Sequence, residues 1–121
     1  MKESLQPDFT IGNDSKDLML YTLKICKNSD DSKKSRFPKT LTRYVDLLIE
    51  TSIYIHRSIC LANAERDTSI RKKYIAEAKG YCVHLSHLID IAYNGKWISE
   101  KQHDTWLGIN NKVYWKIIHW K

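Results

Sequence analysis

The residues in this chain best placed to do chemistry are cations. The stretch "KKSRFPKTLTR" sets Lys33, Lys34, Arg36, Lys39 and Arg43 within eleven residues, and no acid falls between positions 32 and 45. A second group follows at Arg71, Lys72 and Lys73, and a third near the end at Lys101, Lys112, Lys116 and Lys121. Clustered cations bind phosphate without reading sequence, and the mark of such binding is a steep dependence on salt. The candidate contacts to nucleic acid are therefore Arg36, Lys39, Arg43, Lys101, Lys112, Lys116 and Lys121. No helix-turn-helix or zinc-finger signature is present to read bases, so the expected partner is RNA or DNA bound without sequence preference.

Other chemistry is poorly provided for. His84 and His87 share a helical face, but Cys82 lies about 200° from His84 around a helix and cannot join them. His56 and His103 are the remaining histidines that another helix could bring up, and no zinc spacing connects any of them. The sequence contains no GxSxG, HExxH or glycine-rich phosphate loop. Glu77, at the edge of an apolar arc, is better suited to an ion pair across helices than to catalysis. The expectation is a protein that is not an enzyme and needs no metal or cofactor.

The charge is unevenly placed. Residues 1–31 carry four lysines against six acids, whereas the remaining ninety carry sixteen Lys and Arg against eight acids, for a net charge of +6. A basic bias of this kind points to an anionic partner, nucleic acid before a membrane surface. The opening "MKESLQPDFT" has no apolar core of a signal peptide, and no run of about 18 apolar residues could span a bilayer. Three cysteines (Cys26, Cys60 and Cys82), with no CxxC, suit reduced, buried thiols in a cytoplasmic protein.

The elements that must carry these residues are helical. Gly 4 and Pro 2 in 121 residues leave room for long uninterrupted helices. Residues 1–14 show no period and form the expected flexible tail, with the bundle over 15–121. A short helix, capped at Asp14 or Ser15, places Leu18, Tyr21 and Ile25 on one face. After the "SDDSKKSRFP" break, apolar positions recur at helical spacing from Thr40 to about Ala64: Leu41, Val45, Leu48, Ser52, Ile55, Ile59 and Ala62. A third helix from about Thr68 to Tyr93 carries Ile70, Tyr74, Ala78, Tyr81, Leu85, Leu88 and Ala92. "YNGKW" ends it, and Ser99 with Gln102 opens a fourth by a capping box. Three long helices and one short one with brief connections predict an antiparallel up-down four-helix bundle.

The last helix has three sides. Trp106, Ile109, Val113, Ile117 and Trp120 form the core stripe, with Gln102 and Asn110 at its edges. Trp115 falls opposite Trp106, with Leu107, Tyr114 and Ile118 between them. Lys101, Lys112, Lys116 and His119 make a basic sector that holds no acid. Leu47, Ile53, Tyr54 and Leu61 likewise lie off the second helix's core stripe. That much uncovered apolar surface predicts self-association through Leu107, Tyr114, Trp115 and Ile118.

The segments "RFPKTLTRYVDLLIE", "KWISEKQHDTW" and "IIHWK" resemble the accessory variability determinant family over about residues 16–121. The closest stretches are Phe37 with Thr40-Leu41, and "ISEKQ" with the terminal Trp120-Lys121. Members of that family are four-helix partners of reverse transcriptases in bacterial diversity-generating retroelements. The resemblance implies a homopentameric barrel with a basic surface, binding to nucleic acid, and contact with a reverse transcriptase. The chain is also similar to the small four-helix proteins encoded within intervening sequences of bacterial 23S ribosomal RNA genes. A protein-interaction scaffold without a nucleic-acid role is the alternative from another class.

Overall fold

A computed structural model describes residues 9–27 and 37–120. Lys33, Lys34, Arg36 and Lys121 lie outside the described residues, as do residues 1–8 of the expected tail. The described residues form four helices and no strand: α1 Thr10–Cys26, α2 Thr42–Ala64, α3 Thr68–Asn94 and α4 Glu100–Ile118, with a single 3-10 turn at Lys39–Leu41 before α2.

The first helix begins at Thr10, not at Asp14 or Ser15, so the chain from Phe9 to Asp14 belongs to the bundle and not to a tail. Gly12 conceals that start in the sequence. A glycine lowers helix propensity, but here a Cβ would collide with the Phe9 ring folded over it, so only glycine admits that packing. Ser15, displaced from the cap, donates to the Gly12 carbonyl at 2.9 Å.

The other ends follow their sequence signals. Asp67 caps α3 by accepting from the N–H groups of Ser69 and Ile70 at 2.9 and 3.2 Å. The capping box at α4 forms in both directions: Ser99 accepts from the Gln102 N–H, and Gln102 accepts from the Ser99 N–H. At the end of α3 the left-handed position falls on Lys96 (φ 65°), one residue after Gly95. The Trp97 and Lys96 N–H groups then reach back to Ala92 and Tyr93. Gly95 is needed for space, since a Cβ there would lie 2.7 Å from the Trp97 ring.

Each helix packs on its neighbours in sequence and α4 closes on α1, while the diagonal pairs stay apart. Contacts between opposite ends of partner helices fix the antiparallel sense. Ser15 near the start of α1 meets His56 late in α2, and Tyr44 early in α2 donates to the Leu88 carbonyl late in α3. Leu18, Leu48, Ile55, Ile59, Leu85, Ile89, Trp106, Val113 and Ile117 form the sealed interior. Trp106, with no exposure, donates its Nε1–H to Thr22 Oγ1 at 2.9 Å, and Thr22 donates to the Leu18 carbonyl. A buried indole N–H is thereby satisfied.

Three expectations about burial change. Asn110 is not an edge residue but a core one, 1% exposed, with its Nδ2 donating to the Cys82 carbonyl. Ile70 is exposed because it sits in the first turn of α3, at the bundle end, where no described helix covers it. Cys26 and Cys82 are buried thiols, but Cys60 is exposed on the outer side of α2.

Candidate nucleic-acid interface

The structure divides the expected cations between the two ends of the bundle. Lys39 and Arg43, at the start of α2, and Lys101, at the start of α4, are exposed at one end, but α2 and α4 occupy diagonal corners. Lys112 and Lys116 lie at the other end, on the side of α4 that faces α1. There they meet an acid that a reading of α4 alone could not supply. Asp14, whose side chain is 13% exposed, pairs with Lys116 and sits 3.7 Å from Lys112. The basic sector of α4 is therefore partly neutralised from α1.

The same end gathers cations that remain unanswered. Arg66 in the α2–α3 connection and Arg71, Lys72 and Lys73 in the opening turns of α3 pair with no acid among the described residues. Three acids at this end are already engaged. Asp67 caps α3, Glu65 accepts the Asp67 N–H at 3.1 Å, and Asp14 holds the lysines. The Arg71 guanidinium stacks over the Trp120 ring, 5.2 Å from its centre.

Beside these cations lies an open groove of about 550 Å³, lined by Phe9, Thr10, Ile11, Asn63, Trp115, Lys116, His119 and Trp120. Its size is within the range of small-molecule sites. Trp115 is 58% exposed, more than any other large apolar side chain described, and lies nearly parallel to His119 with 5.8 Å between ring centres. Trp120 packs on Phe9 at 6.1 Å. Sequence reasoning missed Phe9 and Asn63 altogether, because it placed Phe9 in a tail and gave Asn63 no role. The available signal was Phe9 followed three residues later by Gly12.

The four side chains expected to meet another protomer separate into two kinds. Leu107 and Tyr114 are half-buried against the core at the α3–α4 seam, whereas Trp115 and Ile118 stand out from it. A second uncovered stripe runs along the α2–α3 seam through Leu47, Tyr54, Ile70 and Ile91, with Tyr54 and Tyr81 in ring contact at 5.6 Å. Leu61 and Ile53, expected beside it, are respectively half-buried and exposed toward α1.

Among the described residues, no three His, Cys, Asp or Glu side chains come together as metal ligands. Cys82 is buried while His84 and His87 are exposed, and burial pushes the Cys82 thiol up to about 12. Glu77 is exposed and meets no described cation. Ser15, His56 and Cys60 form a row, with 2.8 Å from Ser15 Oγ to His56 Nδ1 and 3.5 Å from His56 Nε2 to Cys60 Sγ. Ser15 spends its proton on Gly12, so Nδ1–H donates to Ser15 and Nε2 accepts from the thiol. Although Cys60 is exposed, the part of its side chain that the protein covers loses enough water to raise its pKa, which keeps it a thiol, and none of the three main grooves reaches it. No described helix is long and apolar enough to cross a membrane. Compared with known proteins, the chain matches no family model, no curated protein and no solved structure.

Proposed function

We propose that this chain is a non-enzymatic, homo-oligomeric accessory protein that binds nucleic acid through phosphates. The observation that carries this reading is the set of cations at the groove end: Arg66, Arg71, Lys72 and Lys73 pair with no described acid, and Asp14, Glu65 and Asp67 beside them are engaged elsewhere. Lys39, Arg43 and Lys101 at the far end form a second, sparser contact area. The self-contacts use the stripe of Leu47, Tyr54 and Ile91 and the α4 edge with Leu107, Tyr114 and Ile118. Two unlike apolar surfaces on one protomer suit a head-to-tail ring. The resemblance in "RFPKTLTRYVDLLIE" and "KWISEKQHDTW" supports five protomers and a reverse transcriptase as protein partner.

Light scattering on a sizing column and oligonucleotide binding as a function of salt test the two halves of this reading. The expected native mass is a multiple of 14.3 kDa, five-fold if the barrel forms. Neutralising four phosphates of a single strand gives a slope of log K against log salt of about −3. Absence of binding at low salt overturns the nucleic-acid reading. The uncovered α2–α3 stripe then favours the scaffold, with that stripe docking another protein.

A further inference from the structure

We propose that the groove at the cationic end receives an unpaired base of a single-stranded nucleic acid, stacked on the Trp115–His119 platform. This rests on the nucleic-acid reading above and names the part of the surface that tells single strands from duplexes.

Three features fit that occupant together. The exposed face of Trp115 is an aromatic plane already held nearly parallel to a second ring, so a base adds to a stack without ordering a mobile partner. The walls change from apolar to polar across the groove. Phe9, Ile11 and Trp120 give a body for a planar ring, while Thr10 and Asn63 offer donors and acceptors to its edge. The charge is complementary to the flanking phosphates: Lys116 lines the groove, Arg71 lies over Trp120, and Arg66, Lys72 and Lys73 share that end of the bundle. A base locked in a duplex cannot enter, since its faces are already covered by its neighbours.

This assigns Trp115 to the ligand and leaves Ile118, Leu107 and Tyr114 to protomer contact. The experiment compares the full chain with Trp115→Ala and Trp115→Phe. Each is titrated with a labelled 20-nucleotide oligo(dT) and with a duplex of the same length, and native mass is measured in parallel. Trp115 is exposed, so the alanine variant folds. Expected for the single strand is about a tenfold loss of affinity with alanine and most of it restored by phenylalanine, the effect of one stacked base. Duplex binding and native mass stay unchanged. A wild-type chain that binds neither probe at low salt overturns the nucleic-acid reading itself. Wild-type binding that survives Trp115→Ala undiminished overturns the groove alone. A variant that loses duplex binding equally, or that falls to a smaller assembly, also overturns it, and the latter returns Trp115 to the interface.

Discussion

The two ends of the bundle are built from the same kinds of residue and finish differently. At one end Phe37, Tyr44 and Trp97 form a triangle, with ring centres 5.9 to 6.1 Å apart, that shuts over the interior. Phe37 is 3% exposed, and the Tyr44 hydroxyl is fastened to the Leu88 carbonyl. At the other end Phe9, Trp115, His119 and Trp120 line a groove that stays open, and Trp115 is 58% exposed. Aromatic content alone thus says little about availability. Among the described residues, what separates the ends is the connection: the tight Gly95–Ser99 turn lays Trp97 across one of them, whereas at the other the start of α1 and the end of α4 run side by side.

The most direct way to break that comparison is to truncate one ring at each end. Phe37→Ala removes a buried ring from the sealed triangle and is expected to cost about 3 kcal/mol. Trp115→Ala removes a larger ring that touches little, and its cost is expected to stay under about 0.5 kcal/mol. Urea unfolding of both variants against the parent measures the difference. Equal losses would mean that Trp115 is covered in solution and that the open end is not open.

This contrast also shows what the sequence could reveal. Helices at period 3.6, the Ser99–Gln102 capping box and the Leu48, Ile55 and Ile59 stripe were legible because they depend on near neighbours in the chain. So was the oddity of Trp115. The start of α1 was not, because Gly12 reads as a break unless one knows that Phe9 folds onto it. The helical wheel sets Asn110 at an edge of the core stripe, and only the Cys82 carbonyl on α3 accounts for its burial. The lysine sector of α4 was read without Asp14, which lies about a hundred residues earlier. The last two misses concern a partner supplied by another helix, and a groove assembled from three chain segments is the extreme case.

Asp14 sharpens the comparison from the electrostatic side. Asp14→Asn keeps a hydrogen-bonding group beside Lys116 but removes the charge that restrains Lys112 and Lys116. The stability loss is expected to be about 1 kcal/mol, since Lys112 is 62% exposed and water screens much of the pairing. Affinity for a single strand should rise, with a salt slope steeper by about 1 unit, because a lysine freed from Asp14 can displace one more counterion. An unchanged slope would place these lysines away from the phosphates.

The smallest effect separates the ends by pH, because His103 in the sealed half and His56 in the open half want their protons in opposite directions. In the sealed half, His103 lies between Asp90 at 2.8 Å and Asp104 at 3.0 Å, against the Tyr93 ring. Both ring nitrogens must donate there, so the hydrogen bond to Asp90, joined by Asp104, raises the pKa against the opposing pull of burial. Its stabilisation is full below about pH 6.5 and is lost as pH rises through the raised value. In the open half, burial and then Lys16 lower the pKa of His56, whose Nε2 must accept from Cys60. Protonation there is a cost, absent above about pH 6.5 and growing until pH falls below the lowered value. His103→Gln should therefore make stability fall more steeply on acidification from pH 7.5 to 5.5, and His56→Gln less steeply, each by about 0.5 kcal/mol. Urea midpoints across that range measure it. Slopes that shift the same way in both variants would show that one of the two hydrogen-bond assignments, and with it the tautomer of that ring, is wrong.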